Sequence, residues 1–545
     1  MLDIHCKKFD KLRNFVQKGK SFAVSGLTSF FRLILLNKIS EFSGKKILFI
    51  TSNEQGSLKL QSDYKKLFGK TAEFLPFQSI SPYETINSNK YEYAKQIQIL
   101  KTKPEIVFTP VKTLLEKFPD EKFLNHNSIK IKNNETINTA ELTKKLVEYG
   151  YKRAVMVSDV GEFSVRGDII DIFSLAENPI RIELWGDDIV DIRLFNNETQ
   201  KSIQKIKEIE ILPVYKFISS EKVKMPPELL NLIQEDNYFE GIEVYQSYFN
   251  TKLSSILDYF KDYIVIFDEI SEIYSKYKFL DENYENQYAE NIKLGLNYEI
   301  KEKNHIPFEN FINTVAGMQK IGMNNFIGSE LEDILEFDAQ PVKNFNANLQ
   351  QIAQFINEKR DYETLIATDY PERVKEILSE YEIFHCFYTD GITSFGTISD
   401  ECKFLVLTDR ELFNKRSKEV TSEKKKYYKE QQQYIESIND IQSGEYIVHT
   451  IHGVGLYKGL TQQEIDGQLK DYLTIEYANK DKLHIPAEQI NLLCRYRGSG
   501  SIKPKLSRMG GNDWESTKNK VKKAVETIAY DLLRLYAKRK MKTGI

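Results

Sequence analysis

Cysteine is scarce. The chain of 545 residues has four, Cys6, Cys386, Cys402 and Cys494, far apart and with no metal-spaced pair among them. They read as reduced, mostly buried thiols of a cytosolic protein. Net charge is also nearly absent: 76 basic against 79 acidic residues leave −3. That excludes nucleic-acid binding by the chain as a whole and confines any such site to a local patch. No apolar run approaches the roughly 20 residues of a membrane helix; the best, residues 22–36, is broken by Arg32 and small polar residues. The N-terminus is charged from Asp3 through Lys11 and carries no secretory signal. His449 and His452 stand three apart with His484 nearby, but no cysteine or carboxylate pattern completes a ligand set, so no metal is expected. No repeat at a fixed period is present. These absences describe a soluble cytoplasmic protein with no membrane contact; a monomer is expected.

The length suggests roughly three to four domains of about 150 residues each. Residues 1–120 alternate helical and apolar-strand signals, with strands at 21–24, 46–51 and 105–109, the pattern of an α/β layer with parallel strands. Residues 121–215 change to short alternating runs and predict a compact, sheet-rich insert. Residues 216–348 return to helical periodicity around an apolar strand at 263–267. A second, small α/β domain is expected at 349–414, and a charged linker rich in Lys, Glu, Gln and Tyr at 415–443.

The strand at 21–24 leads into Ser25-Gly-Leu-Thr-Ser-Phe30 and then an apolar helix, where a phosphate-binding loop would stand. Such a loop needs several glycines to wrap phosphates with backbone N–H groups, a lysine for phosphate charge and a Ser/Thr for magnesium. Only Gly26, Thr28 and Ser29 remain, without the lysine. Tyr263-Ile-Val-Ile-Phe-Asp-Glu269 has the form of the strand-plus-acid pair that would face such a loop; otherwise Asp268 and Glu269 merely end a buried strand. The expectation is a degenerate nucleotide site without ATP hydrolysis.

Two stretches carry more specific wording. One is Gly161-Glu-Phe-Ser-Val-Arg-Gly-Asp-Ile-Ile-Asp-Ile-Phe173, continued by Ile180-Arg-Ile-Glu-Leu-Trp-Gly-Asp-Asp188, Ile192-Arg-Leu-Phe195 and Thr199-Gln-Lys-Ser202. The other is Gly444-Glu-Tyr-Ile-Val-His-Thr-Ile-His-Gly-Val-Gly-Leu-Tyr-Lys-Gly-Leu460, followed by Asp471-Tyr-Leu-Thr-Ile-Glu-Tyr-Ala-Asn479 and Lys482-Leu-His-Ile-Pro486. The alternation and glycines of the second predict a small, strongly bent antiparallel barrel of about five strands. The first resembles the module that the bacterial transcription-repair coupling factors (Mfd) share with the repair protein UvrB. The second resembles the coupling factors' RNA-polymerase-interacting domain. The resemblance covers essentially the whole chain but only the N-terminal half of the family's architecture.

It implies a multidomain α/β fold: a degenerate RecA-like UvrB-homology module with the insert, a second small α/β domain, and an SH3/Tudor-like barrel at 444–500. A helix at 512–545 would begin the connection to a motor. It implies that the insert binds UvrA through Arg166, Arg181 and Trp185, where the family places its contacts. The residues alone leave a plainer alternative, in which Arg181 pairs with a carboxylate on a neighbouring strand and Trp185 is core. The resemblance also makes the β subunit of RNA polymerase the barrel's partner, with Leu460, Thr461, Gln463 and Ile465 as candidate contacts. After Leu506-Ser-Arg-Met-Gly-Gly-Asn-Asp-Trp514, the basic helix offers Lys518, Lys522 and Lys523 to double-stranded DNA. No helicase motifs follow. ATP, magnesium and translocation would belong to the motor of a parent protein, and the chain itself is expected to be no enzyme and to carry no cofactor. Residues 82–91 leave no room for the aromatic hairpin that UvrB uses on damaged DNA. A UvrB-like ATP-dependent repair enzyme is the alternative, opposed by the missing lysine.

Overall fold

The computed structural model describes residues 4, 6–78, 90–414 and 443–508, apart from positions 177, 198, 220–224, 236–237, 240, 250–251, 296, 298, 301, 326–330, 450–452, 466–467, 487–492 and 496–505. The chain divides into two compact units, Met1–Val420 and Thr421–Ile545.

The first unit is organised by a seven-stranded parallel sheet. Its order is Ile334–Glu336, Phe22–Ser25, Lys320–Met323, Ile264–Asp268, Ile47–Thr51, Ile106–Pro110, Ala72–Phe74. The central strands are continuous apolar runs because both faces are covered. With side chains alternating across the sheet, Leu48, Ile50, Val265 and Phe267 join the core that continues into the insert. Ile47, Phe49, Ile264 and Ile266 join a core on the opposite face. Helix Ser29–Ser43 lies in that second core. The Thr28 side chain caps its start by accepting from the Phe31 N–H, and Gly44 ends it at φ +60°. Its apolar residues are buried nearly all round because a second sheet packs on its far side: Phe31 stacks on Phe404 with ring centroids 5.3 Å apart.

That second sheet has the order Gln340–Pro341, Thr397–Ser399, Phe404–Thr408, Glu363–Ala367, Phe387–Thr389. Asp63, fully buried in helix Glu54–Phe68, clamps it to the first layer. Its carboxylate accepts from the N–H and hydroxyl groups of both Thr393 and Ser394 at 2.7–3.0 Å.

The insert is a six-stranded sheet: Ser202–Lys205, Asp188–Phe195, Ile180–Trp185, Ile169–Ile172, Glu162–Arg166, Lys152–Arg153. All its pairs are antiparallel except the last. The second unit contains a five-stranded antiparallel sheet, Lys482–Pro486, Gln468–Glu476, Gly453–Ile465, Tyr446–His449, Leu493–Arg495, around Ile447, Tyr457, Leu473, Ile475 and Ile485. Gly455 is obligatory there, since a Cβ would lie 2.4 Å from the Ile475 side chain.

The sequence reading of four reduced cysteines needs correction. Cys6 and Cys402 are paired in a disulfide across 396 residues, with Cα atoms 4.6 Å apart. The fold brings the N-terminal segment against the turn before Phe404–Thr408, where Lys8 also pairs with Glu401 at 2.7 Å. Sequence spacing carries no trace of so distant a contact. Thiol titration of the unfolded protein should therefore find Cys6 and Cys402 reactive only after reduction, and Cys6→Ser should abolish the difference. Equal titres with and without reductant would contradict the pairing.

Candidate functional site

The cleft where a nucleotide would sit is filled from within. Gly26 has φ +70°, and a Cβ there would lie 1.9 Å from the Phe337 carbonyl oxygen. The loop is covered by residues 337–339: the Phe337 N–H donates to the Ser25 carbonyl at 2.9 Å, and the Ala339 N–H to Gly26 at 3.2 Å. Thr28 shares a 2.7 Å hydrogen bond with Thr397 while capping the helix that Ser29 opens. Opposite, Arg32 reaches back from that helix. Its Nε lies 3.0 Å from Asp268, and its Nη2 donates to Glu269 and, at 3.1 Å, to Asn325. Only 8% of the Arg32 side chain is exposed. Glu269 is held at φ +65°, a costly conformation for glutamate, while its carboxylate accepts from both Arg32 and the Asn325 N–H. The two acids of the strand-plus-acid pair, which would hold magnesium in a working site, are thus paired with a guanidinium.

The insert gathers the residues predicted to bind UvrA at one sheet. Asp171, at 0% exposure, accepts from Arg181 Nε at 2.7 Å and Nη2 at 3.0 Å, and from Arg166 Nη2. Arg181 also lies over the Phe195 ring, 4.5 Å from its centroid. The plainer alternative therefore holds in part: Arg181 does pair with a neighbouring strand's carboxylate. It fails for Trp185, which is 79% exposed at the end of strand Ile180–Trp185. The backbone around the tryptophan is fixed. Leu184 N–H donates to the Asp168 carbonyl, and Ile137 N–H to the Asp187 carbonyl, both at 2.8 Å. An exposed indole on a rigid hairpin suits a binding anchor. Asp171 lies within the sequence motif, but its place beneath the arginines follows from the strand register, which sets it opposite Arg181.

In the second unit, strand Gly453–Ile465 pairs with Gln468–Glu476 along its distal half. A register shift between Tyr457 and Gly459, with Gly459 at φ +120°, ends its pairing with the neighbouring strand. Beyond that bulge, residues 459–465 form one arm of a hairpin whose other edge has no strand partner among the described residues. Leu460 is 46% exposed, Thr461 is exposed, and Thr461 bonds Thr474 at 2.9 Å. Gln463 and Ile465 lie farther out, opposite Lys470 and Gln468. Ser507 closes the base, exchanging hydrogen bonds with Val454 and accepting from the Ala478 N–H, each at 2.9 Å.

One group among the described residues has metal-ligand geometry: Asp281, Glu285 and His305, with ligand atoms within 4.8 Å of one another. Lys303 already lies 2.8 Å from Glu285, and Asp281 accepts from the Phe308 N–H at 2.9 Å. Burial lowers the basicity of His305, against the pull of Asp281. The cluster reads as a clasp between helix Ile270–Lys293 and the chain at 303–308. His449 is buried in strand Tyr446–His449, and His484 lies 3.1 Å from Thr474. His452, the charged segment 415–442 and the basic residues Lys518, Lys522 and Lys523 lie outside the described residues, as do residues 82–89.

Comparison with known proteins gives two family matches, the UvrB interaction domain over residues 129–217 and the CarD-like/TRCF RID domain over residues 441–497. The chain is similar to the transcription-repair-coupling factor of Bacillus subtilis (strain 168), 29% identical over 98% of the chain and 50% of the relative. It is also similar to that of Staphylococcus aureus (strain bovine RF122 / ET3-1), 28% identical over 96% and 49%. The chain spans about half the length of the curated relatives it matches. The two modules named by the sequence resemblance are thus both matched, in the same order.

Removing one partner of a buried ion pair strands the others, at a cost of roughly 3–5 kcal/mol. Arg32→Met should therefore lower the urea midpoint sharply, and adding Asp268→Leu should recover part of the loss; an unchanged midpoint in Arg32→Met would contradict the account. Burial pushes the Asp268 carboxyl up to about 6, with Arg32 pulling it down and Glu269 and Glu272 pushing it up. A free aspartate titrates near ~3.9, so the folded state holds this proton more tightly. Its contribution is full below about pH 4 and is lost as pH rises through about 6. Asp268→Asn should lose less stability than the parent across that interval, and identical pH slopes would refute the assignment.

Proposed function

We propose that this chain is the adaptor portion of a transcription-repair coupling factor: it binds RNA polymerase through the hairpin at 453–476 and UvrA through the insert. The observation that carries the reading is Trp185, 79% exposed on a fixed backbone beside the arginines of a UvrB interaction domain. Strand addition along residues 459–465 would engage the polymerase β subunit, with Leu460 as the apolar contact. Gln463 and Ile465 would extend the contact outward. The CarD-like/TRCF RID match supports this half of the reading.

In this reading the UvrB-homology module, a RecA-like relic, binds no nucleotide and catalyses no reaction, because the Arg32 guanidinium occupies the two acids that would otherwise hold magnesium. ATP-driven translocation on double-stranded DNA would come from a motor outside these 545 residues. The chain acts as a cytoplasmic monomer, needs no cofactor, and has an SH3/Tudor-like second unit. In the described residues no helix is long and apolar enough to cross a membrane.

The test uses the full chain and purified partners. Trp185→Ala should weaken UvrA binding by roughly 2 kcal/mol, about thirtyfold, leaving thermal stability and polymerase binding unchanged. Leu460→Asp should do the reverse. Titration with a fluorescent ATP analogue should show no saturable binding. Loss of neither partner in either variant would overturn the assignment of the two faces.

A further inference from the structure

The insert's sheet continues past the arginines already considered. In register, Asp171 stands opposite Arg181, Arg181 opposite Arg193, and Arg193 opposite Lys205, so one row crosses four strands. Glu183 and Asp191 face each other in the next row. Arg193 Nη2 lies 2.5 Å from Glu183 and 2.8 Å from Asp191, and Lys205 lies 3.2 Å from Asp191. The two aspartates lie deepest. Side-chain exposure is 0% for Asp171 and 11% for Asp191, against 28% for Arg166, 17% for Arg181, 24% for Arg193, 36% for Glu183 and 78% for Lys205. Four cations and one carboxylate, Glu183, therefore stand above the two aspartates, with Lys205 the most accessible charge of the face. Arg181 and Arg193 are like charges directly opposite on paired strands, and Asp171 beneath the first and Glu183 and Asp191 beside the second offset the repulsion.

Two register shifts frame the row. Between Glu183 and Leu184 the facing strand gains one residue, Val190, which is 50% exposed. Between Leu194 and Phe195 the last strand gains Ile203, 54% exposed. Bulges re-aim a side chain, and here each coincides with an exposed apolar residue beside the cation row.

We infer that the docking face for UvrA extends across strands Asp188–Phe195 and Ser202–Lys205, with Arg193 as its central cation and Ile203 and Val190 as apolar contacts. This rests on the UvrA reading above. The partner surface it fits brings carboxylates towards this cation row, where Lys205 at 78% exposure is the most accessible charge and Arg193 stands at its centre, and apolar recesses for Trp185 and Ile203.

The experiment measures purified UvrA binding to the full chain at several salt concentrations, comparing the parent with Arg193→Ala, Arg193→Lys, Ile203→Asp and Trp185→Ala. Arg193→Ala should weaken binding at least tenfold and flatten its salt dependence; Arg193→Lys should keep the salt dependence with a smaller loss. Ile203→Asp should weaken binding at constant thermal stability. If Trp185→Ala weakens binding while Arg193→Ala and Ile203→Asp leave it unchanged, the extension is wrong and the UvrA reading stands. If Arg193→Ala weakens binding with an unaltered salt slope, Arg193 only supports the sheet and the inference falls. If Trp185→Ala has no effect either, the UvrA reading itself falls.

Discussion

The first unit depends on one buried cation. Arg32 sits among the apolar residues of the first half of helix Ser29–Ser43, in contact with Asp268, Glu269 and Asn325. A guanidinium so placed would be intolerable without its acids, and acids side by side at a strand end would repel without it. Together they join helix Ser29–Ser43 to strand Ile264–Asp268 and to the chain leaving Lys320–Met323. The same helix carries Phe31 onto the second sheet through Phe404. A cleft that opens and closes on a ligand would need these groups free. Arg32 offsets part of the acids' charge and ties the helix, the strand end and Asn325 into one fixed support.

A fixed support suits the binding role proposed for the insert and the hairpin. The insert and the hairpin both present their candidate contacts from strands rather than loops, which holds side chains in defined positions. They do so differently. The insert displays cations and an indole on a sheet face, with Asp171 setting the arginines' direction. The hairpin displays a strand edge with no strand partner among the described residues, where in the proposed reading main-chain hydrogen bonding would supply affinity and Leu460 an apolar contact. In that reading charge governs one face and backbone geometry the other, so changes of salt would affect the two differently.

Much of this was legible in the sequence. The strands of the parallel sheet showed as apolar runs because both their faces are buried, and the insert as short alternation because one face of its sheet is polar. The wording around Arg166, Arg181 and Trp185 marked the insert's face before its geometry was known. What was hidden depended on distant partners. Arg32 looked like an interruption of an apolar run, since its acids lie 236 and 237 residues away in sequence. Cys6 and Cys402 gave no spacing signal for the same reason. Val190 and Ile203 read as ordinary strand residues, because a bulge is a property of the pairing rather than of one strand's pattern. Leu460 was nameable only through resemblance, and the Gly459 bulge that frees its edge emerged from the register.

The central claim is that one chain carries two independent docking faces. Polymerase immobilised on a surface, exposed first to this chain and then to UvrA, tests it most directly. The account predicts that UvrA is retained only when the chain is present, and that free chain in excess releases it by occupying polymerase and UvrA separately. Retention of the chain with no recruitment of UvrA, when each partner binds it alone, would contradict the claim.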